Sequence, residues 1–144
     1  MVKGTRARTL ASYVVFENYL PMLADYAAAY RNQPGLEFLR QVPTTWDETR
    51  VLNGTPGQYI TIARRSGSQW YVGSVTDASP QQLTIPLDFL SRGTFVAEVY
   101  ADDRDAPDRP SNVVIRRLQV AAGDTLQADL APAGGQSARF TPLH

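Results

Sequence analysis

The stretch from Val42 to Gly54, VPTTWDETRVLNG, sets Trp46, Asp47 and Glu48 side by side. Two carboxylates beside an aromatic ring are the components of glycosidic bond cleavage, one as acid and the other as base or nucleophile. That chemistry needs them roughly 5 to 9.5 Å apart, on either side of the scissile bond. Neighbours in a β-strand point to opposite faces, so a strand over Trp46–Leu52 makes Asp47 and Glu48 diverge and puts Trp46 on the face of Glu48. The pattern favours two structural acids, paired with arginine or closing turns, over a catalytic pair. No catalytic residue is assigned.

Other chemistries have fewer supports. The chain has no cysteine, which removes disulfides, thiolate nucleophiles and Cys-zinc sites. Its single histidine is His144, the last residue, a poor base for a Ser-His-Asp triad or a metal site. Asp102, Asp103, Asp105 and Asp108 crowd the segment ADDRDAPDRP, but without the order of a calcium-binding EF-hand, and Arg104 and Arg109 offset part of the charge. A solvated loop is the simpler expectation. Gly134-Gly135 lacks the Lys and Ser or Thr of a phosphate-binding loop and reads as a turn. Tyr59, Trp70 and Tyr71 are the aromatics able to stack on a sugar ring; Trp70 and Tyr71 are adjacent, so one is expected to face inward and the other outward. The possible ligand they define is a carbohydrate, with core packing as the alternative.

The elements that position these residues change character near residue 42. From Leu10 to Leu23 apolar residues occupy nearly every face, and a helix of that kind is buried in something larger. Asn18 with Pro21 suits a second helix start, Glu17 sits at the helix end, and Leu36–Arg40 adds a turn or two before Pro43. After that the period is two. Strands are expected at Trp46–Leu52, Tyr59–Arg65, Trp70–Thr76, Gln82–Leu87, Thr94–Ala101, Asn112–Val120, Thr125–Leu130 and Gln136–Thr141. Turns fall at Asn53-Gly54, Ser66-Gly67, Arg92-Gly93 and Gly123-Asp124, with a helical turn over Leu87–Leu90. The fold class is mainly β: an antiparallel Greek-key sandwich of about eight strands over residues 42–144, preceded by a helical segment over 1–41. That segment looks too apolar to be satisfied by the sandwich alone. Val14, Val15, Phe16, Leu20 and Leu23 are therefore expected to form a homo-oligomer interface.

Charge excludes some partners. Fourteen basic residues balance 14 acidic ones, so no nucleic-acid partner is implied. No apolar run reaches about 18 residues, so no membrane-spanning helix is expected. The opening MVKGTRARTLASYVVF does not read as a signal peptide.

One family joins these parts. The runs GTRARTLASYVVFENYLPMLADYAAAY, LEFLRQVPTTWDETRVLNG, GQYITIARRSGSQWYVGSVTD and AGDTLQADLAPAGGQSARF, in that order, resemble the C-terminal end of glycoside hydrolase family 97 over almost the whole chain. The combination of VPTTWDET, YITIARR, WYVG and LAPAGG carries the resemblance. It implies bacterial, often periplasmic, calcium-dependent α-glucosidases and α-galactosidases, built from a (β/α)8 barrel between two β-sandwiches. It makes residues 1–41 the end of the barrel and 42–144 the C-terminal sandwich, with a structural and oligomerisation role. The family's catalytic acids and calcium ligands lie upstream, so no site or cofactor residue carries over and no cofactor is expected in this chain. Arg6 lies near the barrel's catalytic face by that resemblance. Asn18-Tyr19 and Arg8-Thr9 depart from the family's expected Ser-Pro and His-Gln pairs.

Overall fold

A computed structural model describes residues 6–15, 46–55, 58–77, 79–102 and 113–143. They form one helix, α1 (Arg6–Val15), and eight strands: β1 (Glu48–Thr55), β2 (Tyr59–Ser66), β3 (Gln69–Thr76), β4 (Gln81–Pro86), β5 (Phe95–Asp102), β6 (Val113–Val120), β7 (Thr125–Leu130) and β8 (Gly135–Pro142). Strands β1-β2-β3-β8-β5-β6 make one antiparallel sheet, and β4-β7 make a second. Chain order explains the split. The chain leaves the large sheet after β3, returns for β5 and β6, leaves again for β7, and comes back as β8 between β3 and β5. The expected eight-stranded antiparallel sandwich is thus present, with its strands divided six and two.

Alternation along the strands assigns the two faces of the large sheet. Ala63, Trp70, Val72, Phe95, Ala97, Val99, Ala138 and Phe140 point inward and meet Leu83, Ile85, Leu126, Ala128 and Leu130 of the small sheet. The expected turn after β4 exists: Leu90 N–H donates to Leu87 O at 3.0 Å, and it delivers Leu87, Phe89 and Leu90 to this core. Phe89 lies between Trp70 (centroids 4.9 Å) and Phe140 (5.8 Å, edge-on). The core is therefore sealed by aromatics from β3, β8 and the turn after β4.

The outer face is covered by α1. Ala7, Leu10, Ala11 and Val14 are fully buried there, and Ala11 and Val15 pack on Ile62 and Val75. This corrects the expectation that the sandwich could not satisfy the helix. It also removes Val14 and Val15 as partner-facing residues, because the chain's own sheet already buries them. Phe16, Leu20 and Leu23, together with Glu17, Asn18, Pro21 and Leu36–Arg40, lie outside the described residues.

A second correction concerns Asn53-Gly54, expected as the turn out of β1. Both residues remain in the strand, opposite Thr61 and Ile60, after a register shift between Val51 and Asn53. The chain turns later, where Gln58 N–H donates to Thr55 O at 2.9 Å. An Asn-Gly pair serves a bulge as readily as a hairpin, because both need an adaptable backbone. The other turn signals hold. Gly67 has φ 61° in the tight β2–β3 loop, and Asp124 Oδ2 accepts from Ala121 N–H at 2.8 Å before β7.

Candidate functional site

Trp46, Asp47 and Glu48 do not divide as strand alternation requires. The strand starts only at Glu48, so Asp47 sits in a bend and is not bound by the period. Both acids converge on one guanidinium: Arg65 Nη1 is 3.8 Å from Asp47 Oδ2, and Arg65 Nε is 3.4 Å from Glu48 Oε1. Each has a further partner. Gly67 N–H donates to Asp47 Oδ2 at 2.8 Å and fixes the β2–β3 turn, while Arg50 Nε donates to Glu48 Oε2 at 2.5 Å. The Arg50 hydrogen bond, aided by Arg50 and Arg65 charge, holds the Glu48 carboxyl below the usual carboxylate range against a desolvation that raises it. A carboxylate held ionised between two arginines is a poor general acid. The acids pair with arginine and close a turn, as the sequence suggested, although their expected divergence does not occur.

Trp46 takes the other face. Its ring meets Tyr71 edge-on at 5.4 Å, and the Arg64 guanidinium lies 6.0 Å from it. Glu48 sits opposite Arg65 in the register and Arg50 lies 5.7 Å over the Trp70 ring, so Glu48 and Arg50 belong to the inner face. The expectation that Trp46 shares a face with Glu48 fails for the same reason: Trp46 precedes the strand.

The outer face is built around the helix seat. Two glycines let α1 approach. A Cβ on Gly73 of β3 would come within 2.7 Å of Ala11 O, and one on Gly135 of β8 within 2.6 Å of the Arg8 Cα. Arg64 of β2 then fixes the helix: Nε donates to Val14 O at 2.6 Å and Nη2 to Val15 O at 3.2 Å. Arg64 is buried, which period-two reading did not single out. The available signal is that Ile60, Ile62 and Arg64 share a face, so an arginine ends an apolar row that must meet something polar. Ser12 Oγ donates to Arg8 O at 2.8 Å within the helix.

Beside the helix lies a charge cluster around the buried Glu98. Glu98 of β5 accepts from Arg139 of β8 and from Arg117 of β6 (3.4 Å), with the Tyr100 hydroxyl at 3.5 Å. Burial pushes the Glu98 carboxyl up, but the Arg139 hydrogen bond and the charges of Arg139 and Arg117 outweigh it and leave it lowered. Tyr71, next along this face, is pushed up by burial and by Glu98, against the Arg139 charge, and its hydroxyl donates to Gln69 Oε1 at 2.9 Å. Cross-strand ion pairs of this sort order a sheet face; no reacting group is exposed by them.

Of the three candidate sugar-stacking aromatics, Trp70 and Tyr71 are both buried, one on each side of the sheet. The expected outward ring is absent because α1 and Trp46 cover the outer face. Tyr59 alone stays half-buried, at a cavity of about 590 Å³ lined also by Val51, Ile60, Val75, Arg8 and Asp77. In the acidic segment, Asp102 Oδ2 accepts from Ala131 N–H (2.9 Å) and Gly135 N–H (3.1 Å), tying down the turn in LAPAGG, where Ala133 has φ 54°. Asp103, Asp105 and Asp108 lie outside the described residues, as does the side chain of Arg6. Among the described residues no three acidic or histidine side chains gather as metal ligands.

A family model described as glycosyl-hydrolase 97 C-terminal, oligomerisation, matches residues 45–141, which include all eight strands from β1 to the penultimate residue of β8. The chain belongs to glycoside hydrolase family 97. A retaining alpha-galactosidase of Bacteroides thetaiotaomicron is 38% identical over 136 residues, 94% of this chain and 20% of its own length. A probable retaining alpha-galactosidase of Streptomyces bingchenggensis is 32% identical over 133 residues, again with 20% of its length covered. A family 97 enzyme from Pseudoalteromonas sp. strain K8, solved in complex with panose, superposes with a TM-score of 0.82 at 33% identity, over 98% of this chain and 23% of the enzyme. The chain thus spans about a fifth of the curated relatives it matches. The glycines of WYVG and LAPAGG, Gly73 and Gly135, are the two that seat the helix in this family 97 domain.

Proposed function

We propose that this chain is the non-catalytic assembly module of a larger α-glycosidase, and that it self-associates. One observation carries the reading: the Asp47-Glu48 pair, the one beside an aromatic ring, is ion-paired with Arg65, Glu48 also with Arg50, and Asp47 closes a turn. The family description of the domain as one of oligomerisation supports the assembly role. The substrate of the whole enzyme is an α-galactoside on this reading, in keeping with two α-galactosidase relatives. Calcium belongs to the rest of that enzyme. Among the described residues no group of acidic side chains gathers that could hold it.

Hydrolysis of 4-nitrophenyl α-galactoside and α-glucoside by the purified chain tests this. No turnover above buffer is expected. Turnover that survives repurification and disappears in Asp47→Asn or Glu48→Gln would overturn it. Sugar binding is a second reading with one observation behind it, the half-buried Tyr59 at the cavity. Calorimetric titration with galactose and maltose would support it by a saturable heat lost in Tyr59→Ala, and heats of dilution alone would end it.

A further inference from the structure

The domain matched by the family model starts at residue 45, well after α1. An element outside a domain is ordinarily joined to it by exposed, polar chain that few contacts cross. α1 is the opposite. Ala7, Leu10, Ala11 and Val14 are fully buried, and the helix lies across β3 and β8, the two middle strands of the six-stranded sheet. Helix and sheet also complete one another. Ten residues are too few for a helix to be stable alone in water. α1 has no acidic residue in its first turn and no basic residue in its last, so its own charges leave the helix dipole unanswered. The sheet supplies the missing cation, because Arg64 sets its guanidinium on the Val14 and Val15 carbonyls. Toward the other end the helix returns a bond: Arg8 Nε donates to Thr76 O at 3.4 Å. Without α1, Ile62 and Val75 would lose their cover and the buried Arg64 its two carbonyls.

We infer that the folding unit of this domain begins with α1 rather than with β1, and that α1 is a rigid joint through which the sandwich is attached to the rest of the larger enzyme. The seat on Gly73 and Gly135 is specific for a helix with small residues on one face, because the approach is at the level of Ala11 O and the Arg8 Cα. Contact at backbone level leaves no space in which the helix could slide or tilt over the sheet. An arginine at each end, one from the sheet and one from the helix, fixes its position along the seat. The sandwich therefore takes its orientation from α1 and turns with it. In the larger enzyme an assembly module held in this way sets the orientation of what it assembles, which a module on a flexible tether could not do. That consequence rests on the reading above of a module in a larger α-glycosidase; the joint itself does not.

Cutting the full chain between helix and sheet tests this. A site for a sequence-specific protease is placed between Pro34 and Gly35, and the cut protein is passed over gel filtration. Residues 1–34 are expected to co-elute with residues 35–144 and to separate only in denaturant. Ala11→Lys alters the helix at the Gly73 seat and leaves the sequence of the sheet intact, and it is expected to weaken that retention at least about tenfold. Release of residues 1–34 from the wild type in native buffer, or retention unchanged in Ala11→Lys, overturns the joint. Amide exchange of the uncut wild type is a second readout. The protection factors of Leu10, Ala11 and Val14 are expected within about tenfold of those in the middle of β3 and β8, as for one cooperative unit. Protection weaker than that overturns the joint as well. Neither measurement depends on self-association, so the mass in solution judges the assembly reading separately.

Discussion

The two faces of the large sheet are sealed by different means. The inner face is closed by apolar volume, with Trp70, Phe89 and Phe140 packed between sheets. The outer face is closed by a helix held at backbone contact over Gly73 and Gly135, anchored by Arg64, and flanked by the Glu98–Arg139 pair. Apolar packing tolerates change of shape when volume is kept. A glycine seat and a buried guanidinium do not, because a single atom too many, or a charge lost, leaves backbone carbonyls in conflict or unsatisfied. The inner face should therefore show the larger losses on truncation, and the outer face the sharper sensitivity to conservative change.

Four substitutions separate the faces. Phe140→Ala removes a fully buried ring from the inner core and should cost about 3–5 kcal/mol in urea unfolding. Arg64→Ala removes charge-assisted bonds to the Val14 and Val15 carbonyls and should cost about 1.5–3 kcal/mol. It should also raise amide exchange in α1 while leaving β4 and β7 protected. Gly73→Ala adds one methyl group against Ala11 O and should cost about 1–3 kcal/mol. Its inner-face counterpart, Val72→Ile, adds the same volume without a backbone conflict and should cost less than Gly73→Ala; equal losses would erase the distinction.

The smallest effect is pH-dependent. Glu98 has a lowered folded pKa despite burial, because Arg139 and Arg117 stabilise its charge. Its contribution is therefore present above the ordinary carboxylate pKa and is lost as pH falls through the lowered folded value. Stability of the wild type relative to Glu98→Gln should be greatest near neutral pH and shrink in that acid window. A difference that does not change with pH would mean the pair acts through packing rather than charge.

Much of this was legible in the sequence, and the failures have local causes. The eight strands follow from period-two apolar residues and turn residues, and their ends fall within a few positions of those expected. The split into six and two strands was not legible, because alternation sets the face of a strand but not its neighbour. Asp47 and Glu48 were misplaced because the strand begins two residues later than expected, at Glu48 rather than Trp46, enough to reverse the geometry of a pair. The helix was judged an orphan because an apolar circumference reads the same whether the covering surface belongs to the chain or to a partner. The covering surface shows in sequence only as Gly73 and Gly135, whose small size becomes meaningful once β3 and β8 are neighbours. Arg64 was missed because a single arginine after two isoleucines looks like the end of a strand.

The central claim is that this domain assembles, and its mass in solution tests that most directly. Static light scattering of the purified chain at tens of micromolar should give about twice the 15.9 kDa of one chain, or a higher multiple. A wild-type mass of one chain across that concentration range would contradict it.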